Sequence, residues 1–550
     1  MKQKMLAMLL VVVMVGSCLA GCGQTTNPDN ETNQGGNTNE ADETKEDGES
    51  AEAEGITADE FAGTTIKIAV VKNPLDESAD FAENKDFIPI VEDATGIKVE
   101  WMVLDSATAS EKASVILAGD DKPDVYLGGL GINVEKDFES FYDLSQDGLL
   151  ETYAPDVLED YAQMVNGGLD GLRMTDGSIR TLYTGLEISR NNDPQGIMMI
   201  NQKWLDQLGL KIPETTDELY DVLKAFKEND MNGNGDTTDE IPLSFNQKFW
   251  CSKIMNLADS FGIGGLDASD DSHYYKVEDG SVLPTADTEE FRAFLEYGNK
   301  LASEGLLDVE GFSATSEQYL SNLKAGLVGC YWSWTPMSDM GMDNPYIYDY
   351  VVLKPVKGLD DVEPVKTGVK NSAKYGTGQF LIDASSENVE AALHWWNYLS
   401  STTEMKWTVR GGAEGELWKM ENGKPTDIAY SGSAVYTAGM ADLCPLILAD
   451  ESLVLNLDDM TNSTTNRVYN VDEVWDMLSE ETLPTKFISA EESEEGAFIK
   501  NEIVPFIDSF VATSIVEGVT DDTWAQYLKD LETYGYYEWI DWFNKVYFPK

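Results

Sequence analysis

The chain has 550 residues, with 38 Lys and Arg against 99 Asp and Glu and a formal net charge of −61. Acidity this strong argues against nucleic-acid binding, which rests on Lys and Arg neutralising phosphates, and disfavours attraction to anionic lipid heads. It keeps a protein soluble at high local density and weighs weakly against a polyanionic ligand.

Lys2 and Lys4 lead into an apolar run from Met5 to Val15, followed by Gly16, Ser17 and Leu19-Ala20-Gly21-Cys22. A basic start, a short apolar run and small residues compose a secretory signal, and the run is shorter than the ~20 residues that span a bilayer. Leu-Ala-Gly-Cys resembles the lipobox of bacterial lipoproteins. That resemblance implies that residues 1–21 are a signal peptide and are removed. Cys22 would then carry lipid as the first residue of the mature chain and hold it on the extracytoplasmic face of a bacterial cell membrane. Thr25 to about Glu60 is rich in Asn, Thr, Gly, Glu and Asp, has Lys45 as its one basic residue and holds almost nothing apolar before Ile56. Such a segment cannot bury enough surface to offset its ordering entropy, so residues 22–60 are expected to form a disordered acidic tether. With Cys18 removed and Cys22 lipidated, Cys251, Cys330 and Cys444 remain. They are too widely spaced for a disulfide framework or a zinc site and are expected to be small buried apolar residues.

The roughly 490 residues that follow exceed one ordinary core and suit two lobes. Residues 65–71 alternate as a strand, 87–95 read as a helix ending at Gly96, and 97–104 as a strand with Ile97, Val99, Trp101 and Val103 on one face. Residues 110–117 read as a helix stopping at Gly119, and 124–127 as a short strand before Gly128-Gly129. Strands alternating with helices at this spacing indicate an α/β fold with parallel βαβ units, in which ligands bind at the carboxyl ends of strands. The Gly128-Gly129 turn is therefore either a close approach of backbone to ligand or a plain glycine turn.

The stretches "IKVEWMVLD" and "ILAGDDKPDVYLGG", each preceded by its element, are similar to the opening of extracellular solute-binding protein family 1, which includes the oligosaccharide-binding lipoproteins of ABC transporters. Met198 to Asp230 resembles the segment that enters that family's second lobe. Lys324 to Pro336, "KAGLVGCYWSWTP", resembles its ligand-loop region. Phe380 to Ser401 resembles the return to the first lobe, and Asp521 to Lys550 the terminal helices of the larger oligosaccharide binders. The resemblance implies a two-lobed periplasmic-binding-protein-like fold of type 2, with a hinge crossed more than once and a ligand held in the cleft by closure. The expected layout is lobe 1 over 61–188, lobe 2 over 189–345, a return to lobe 1 over 346–430, and a C-terminal part, 431–550, mainly in lobe 2. Crossings are expected at Tyr183 to Arg190, at about Tyr346 to Thr377, and after Glu414. The implied partners are an oligosaccharide, ABC permease subunits and, through them, a cytoplasmic ATPase, the chain itself being a monomer.

After an amphipathic helix over 216–227, Asp230, Asn232, Asn234 and Gly235 hold positions one, three, five and six of an EF-hand calcium loop. Alternate side-chain oxygens in a tight turn converge on one point, and calcium takes six to eight oxygens at about 2.4 Å. Ile241 stands where the EF-hand has its bidentate Glu, and Asp239 or Glu240 just before it could supply that carboxylate. In the solute-binding family an Asn-Gly-Asn-Gly loop ending Asp-Glu-Ile-Pro looks like a structural Ca2+ site. This copy is longer by one residue, which leaves open which of Asp236, Asp239 and Glu240 join Asp230, Asn232 and Asn234 as ligands. The other reading is a turn-rich acidic loop with no ion.

Sugars stack their C–H faces on aromatic rings and offer hydroxyls to polar groups, and ligand pockets combine both. Tyr331-Trp332-Ser333-Trp334 places three large aromatics in four residues; at a strand end Trp332 and Trp334 would share one side. The resemblance puts ligand-stacking aromatics there and at Trp250. "RGGAEGE", Arg410 to Glu416, with Trp418 after it, resembles the family's Gly-x-Glu-Gly turn near the cleft, where Arg410 or Glu414 would meet sugar hydroxyls. Core packing, or for Arg410 a surface salt bridge, is the competing reading. Trp395, Trp396, Trp539 and Trp542 lie on amphipathic helices and are expected in the core. His273, in a polar stretch expected to be exposed, is far from His394, and no nucleophile elbow, zinc-protease helix, phosphate loop or Cys–His pairing occurs. The chain thus reads as a capture subunit and not an enzyme. The alternatives are a lipid-anchored surface glycoside hydrolase, for which two carboxylates suffice, and a peptide or other-solute binder of the same fold.

Overall fold

A computed structural model describes residues 60–550, apart from 74–75, 107, 129, 165–167, 188–193, 195, 342, 371–375, 422, 428–431 and 449–462. The signal segment, Cys22 and the tether lie outside the described residues. In β1 (Thr65–Lys72), Ile66, Ile68 and Val70 turn to a core with Phe87 and Val91, while Ala69 turns to a second cluster with Leu104 and Tyr126. Strands covered on both faces suit parallel pairing. β1 accordingly runs parallel to β2 (Lys98–Asp105) on one side and to β3 (Val125–Leu127) on the other. Helices Phe87–Thr95 and Ala109–Ala118 make the crossovers, the first closed by Gly96 at φ 68°, a conformation that favours glycine. β2 is an edge strand. Val99 and Trp101 are half-buried and Val103 is exposed, so the expected apolar face fades toward the strand end. β4 (Leu182–Thr184) and β5 (Leu186–Glu187) follow, and the chain then leaves this lobe.

The second lobe holds β6 (Ile197–Asn201), β7 (Ile241–Leu243), the hairpin β8 (Tyr275–Glu278) and β9 (Ser281–Pro284), then β10 (Val328–Ser333), β11 (Tyr350–Val352) and β12 (Lys366–Val369). Its main sheet has the order β11-β6-β10-β7, with β10 antiparallel to β6 and parallel to β7. Met198, Ile200, Leu243, Cys330 and Trp332 face one core, against helices Thr216–Glu228 and Glu289–Ser303. Ile197, Met199, Val328 and Tyr331 face another, against helix Ser316–Lys324. Helix Thr216–Glu228 begins where Thr215 Oγ1 accepts the Glu218 N–H at 3.2 Å, and it buries Leu219, Val222, Leu223 and Phe226.

β13 (Gly376–Ile382) returns to the first sheet, antiparallel to β3 and β4, and completes the order β2-β1-β3-β13-β4. Helix Val389–Ser400 buries Trp395 and Trp396 behind it, Trp396 stacking on Phe380 at 4.4 Å. Helix Thr403–Gly411, the hairpin β14 (Trp418–Glu421) and β15 (Lys424–Asp427), and β16 (Ile447–Leu448), which pairs with β5, all follow; Met440, Cys444 and Ile447 join the first lobe's core. β17 (Leu478–Ser479) pairs with β12, and helices Ala490–Glu517, Asp521–Thr533 and Tyr536–Tyr547 pack on the second lobe with Trp539 and Trp542 buried. Cys251, Cys330 and Cys444 are free and buried.

The partition departs from the expected one in two places. β11 pairs with β6, and Lys366 of β12 is ion-paired to Asp259, so residues 346–369 stay with the second lobe rather than returning at 346. The segment around Met440 to Leu448 packs in the first lobe, so the last passage falls after Glu414 as expected but after Leu448, past the expected boundary at 430. The passages between β5 and β6, β12 and β13, and β16 and helix Ser463–Asp472 lie mostly outside the described residues. Among the described residues no helix is long and apolar enough to cross a membrane.

Candidate functional site

β1, β2 and β3 end on one edge of their sheet. Beyond those ends lies a pocket of about 200 Å³, lined by Asn73, Asp76, Ser106 and Gly128 from the strand ends and by Tyr436 and Asp442 from far along the chain. Gly128 has φ 95°, and a β-carbon there would meet Leu443 Cδ2 at 3.0 Å; Gly129 is outside the described residues. The wall is pinned by a buried ion pair, Lys85 Nζ to Asp76 Oδ2 at 3.1 Å. Lys85 also donates to the carbonyls of Tyr436 and Thr437 at 3.1 and 3.2 Å, which ties the late segment to the strand ends. Burial pushes the Lys85 ammonium below the usual lysine range, against the opposing pull of Asp76. Tyr436 Oη donates to Asp442 Oδ2 at 2.5 Å. Val71, Phe81 and Met440 supply an apolar floor, so the pocket combines an apolar surface with a few placed polar groups. Sequence reasoning did not select these polar residues. The strand-end rule points to Asn73 and Ser106, whereas nothing local marks Tyr436 or Asp442.

The second lobe contributes an aromatic pair. Trp334 stands just past β10, and Trp250 lies beside it with ring centroids 5.4 Å apart and planes 48° apart. Trp250 is 47% exposed. Tyr331 and Trp332, expected with them, are placed elsewhere. Tyr331 is fully buried against Tyr350 at 5.1 Å, and Trp332 is buried in the core on the opposite face, its carbonyl accepting from Tyr319 Oη at 3.2 Å. The physical reason is that β10 is central and covered on both faces, so alternation sends each ring into a core instead of toward ligand.

Arg410, Glu414 and Trp418 are also brought together, but as a brace. Trp418 is buried, its Nε1 donating to Gly412 O at 2.8 Å and its ring 6.0 Å from Trp407. Glu414 is exposed, and its Oε1 accepts the Met420 N–H at 2.7 Å, tightening the turn before β14. Arg410 is buried, its guanidinium carbon 5.0 Å from the centroid of the Trp407 ring. The Met440 N–H donates to Val409 O at 2.7 Å, so this brace backs the segment that lines the first-lobe pocket. His273, expected to be exposed, is buried, Nε2 lying 2.8 Å from Thr367 Oγ1.

In the loop 230–240, Asp230 accepts the N–H groups of Gly233, Asn234 and Gly235 at 2.7, 3.1 and 2.8 Å. Asn232 and Asn234 donate their amides to Asp239 at 3.2 and 2.7 Å. Glu240 is buried; its Oε1 accepts the Met231 N–H at 2.8 Å and its Oε2 is buried without a hydrogen-bond partner. Asp236 instead turns to Thr238, whose N–H and hydroxyl lie 2.9 and 2.6 Å from its Oδ1. Among the described residues no three His, Cys, Asp or Glu side chains are arranged to hold a metal, so an ion in this loop would need the Asn oxygens as well.

Residues 78–406 match the family described as bacterial extracellular solute-binding protein. The chain is 25% identical over 521 residues to the fructooligosaccharide ABC transporter substrate-binding protein FusA of Streptococcus pneumoniae serotype 4, covering 90% of this chain and 92% of FusA. The structure of FusA in complex with kestose superposes with a TM-score of 0.70 at 22% identity, covering 88% of this chain and 98% of FusA. An EF-hand mutant of FusA in complex with fructo-nystose superposes equally, with a TM-score of 0.70 at 22% identity over the same shares. An extracellular solute-binding protein from Bifidobacterium longum subsp. infantis gives a TM-score of 0.74 at 22% identity, covering 88% of this chain and 97% of that one.

Proposed function

Because the chain belongs to the bacterial extracellular solute-binding protein family, we propose that it is the capture subunit of an ABC importer and carries a neutral oligosaccharide to membrane permease subunits powered by a cytoplasmic ATPase. The observation that carries the sugar reading is the Trp250–Trp334 pair, a partly exposed aromatic platform beyond a strand end. The pocket at the ends of β1–β3 supplies hydroxyl, amide and carboxylate groups for sugar hydroxyls. The likeness to FusA supports the same class of ligand. Sugar that touches both lobes favours the closed state, because only that state offers both sets of contacts. The function is binding without turnover, in keeping with transport proteins as the relatives. A lipid on Cys22 would hold the chain at the membrane, and a Cys22→Ser variant would then be released into the medium.

The loop 230–240 is the natural place for a structural Ca2+. The unpaired buried Glu240 Oε2 is the feature that favours an ion, with Asp230, Asn232, Asn234 and Asp239 as the other ligands and Asp236 left out. Calcium there would neutralise clustered carboxylates and stiffen the loop. Thermal melts of the full chain with kestose and a panel of neutral oligosaccharides test the main reading. A binding sugar raises Tm by linkage; an unmoved Tm with every glycan would count against it.

A further inference from the structure

Arg467 lies on helix Ser463–Asp472, directly after the third passage between the lobes, and its side chain is fully buried. Its guanidinium carbon sits 3.7 Å from the centroid of the Trp334 ring. Nη1 donates to the Trp334 carbonyl at 3.2 Å, and Nη2 donates to the carbonyl of Pro194. Pro194 stands in the first passage, between β5 and β6. One side chain, just after the third passage, therefore joins the first passage to the residue that bears half of the aromatic platform. Burying a guanidinium carries a large desolvation cost, and an apolar side chain of similar size would fill the space without it. What Arg adds is a flat cation that stacks on an indole face and a rigid fork that reaches two carbonyls at once. Lys offers neither the plane nor the fork.

We propose that Arg467 is a positioning residue for the sugar-stacking platform: it backs one face of Trp334, sets the angle of that ring to Trp250, and ties that ring to the backbone at Pro194. The inference rests on the reading of Trp250 and Trp334 as the sugar platform. Trp334 follows the last residue of β10, where the strand no longer fixes its side chain. The stacked guanidinium supplies the missing constraint, and the Trp250 ring lies 5.4 Å away at 48°.

The test uses the full chain and the variants R467K and R467M. Two indoles this close and this tilted couple their electronic transitions, so the circular-dichroism difference between wild type and a Trp250→Phe variant contains a couplet. R467K and R467M are expected to lose that couplet and to raise the Kd for kestose about tenfold or more, with far-UV helix and strand signals unchanged. Retention of the couplet, or wild-type affinity for kestose, in either variant overturns the proposal. If R467M fails to fold, R467K, which keeps the charge, carries the test. If wild type binds neither kestose nor any other neutral oligosaccharide, the sugar reading falls, and the couplet alone then decides the positioning role: its loss supports the role and its retention overturns it.

Discussion

Among single residues, the run Tyr331-Trp332-Ser333-Trp334 divides by burial. The first two rings are core and only Trp334 reaches the platform. Trp334→Ala and Trp250→Ala are expected to weaken kestose binding by about tenfold or more each while leaving the fold intact. Trp332→Ala should instead cost about 3–5 kcal/mol of stability. Calorimetric titration alongside denaturant unfolding checks the pair of outcomes, and the reverse pattern would exchange the two assignments. The aromatic density of this run is visible in the sequence; its division is not, because both faces of β10 are covered and no polar alternation marks which side is which. Asp339 makes a pH prediction. Burial raises its carboxyl to about 7, against the pull of the Ser333 hydroxyl. A folded pKa above the unfolded one means that the folded state holds the proton more tightly. The stability from this group is therefore complete below about pH 4 and is lost as pH rises toward 7. Between those values the unfolding free energy of wild type should fall relative to that of Asp339→Asn, as read by urea titration at each pH.

At the level of elements, the βαβ opening was readable because apolar alternation, Gly96 and Gly119 bound each segment, and β1 to β3 fall where the pattern puts them. The pocket that these strands create was only half readable. Their ends predict a site, but Tyr436 and Asp442 arrive from another part of the chain, and local pattern holds no record of long-range contact. The "RGGAEGE" turn likewise lies close to the pocket wall but acts behind it, through the Trp418 and Arg410 packing. The loop 230–240 carries its own test. Calcium added to chelator-treated protein is expected to raise Tm by several degrees, and Glu240→Gln or Asp230→Asn should abolish the rise. Asp236→Asn should leave it intact, since Asp236 Oδ1 pairs with Thr238, whereas the Asn232 and Asn234 side chains turn to Asp239. A rise that depends on Asp236 and not on Glu240 would reassign the ligands.

Across the whole molecule, two sheets with separate cores are joined by passages at 188–196, 370–375 and 449–462. Two lobes were legible from length and from the ordered run of family-like segments. Their boundaries were not, because β11, β12 and the segment before β16 choose a lobe by tertiary pairing that no local signal encodes. In this arrangement ligand binding and lobe closure are one equilibrium, so a captured sugar should reduce the radius of gyration in solution scattering. The role proposed for the whole molecule is capture of an oligosaccharide without turnover. Calorimetric titration of the chain with kestose and a panel of neutral oligosaccharides, with the sugar recovered afterwards, tests it most directly. Saturable binding of one sugar per chain and recovery of that sugar intact are expected; no heat with any member of the panel, or recovery of cleaved sugar, would overturn the capture role.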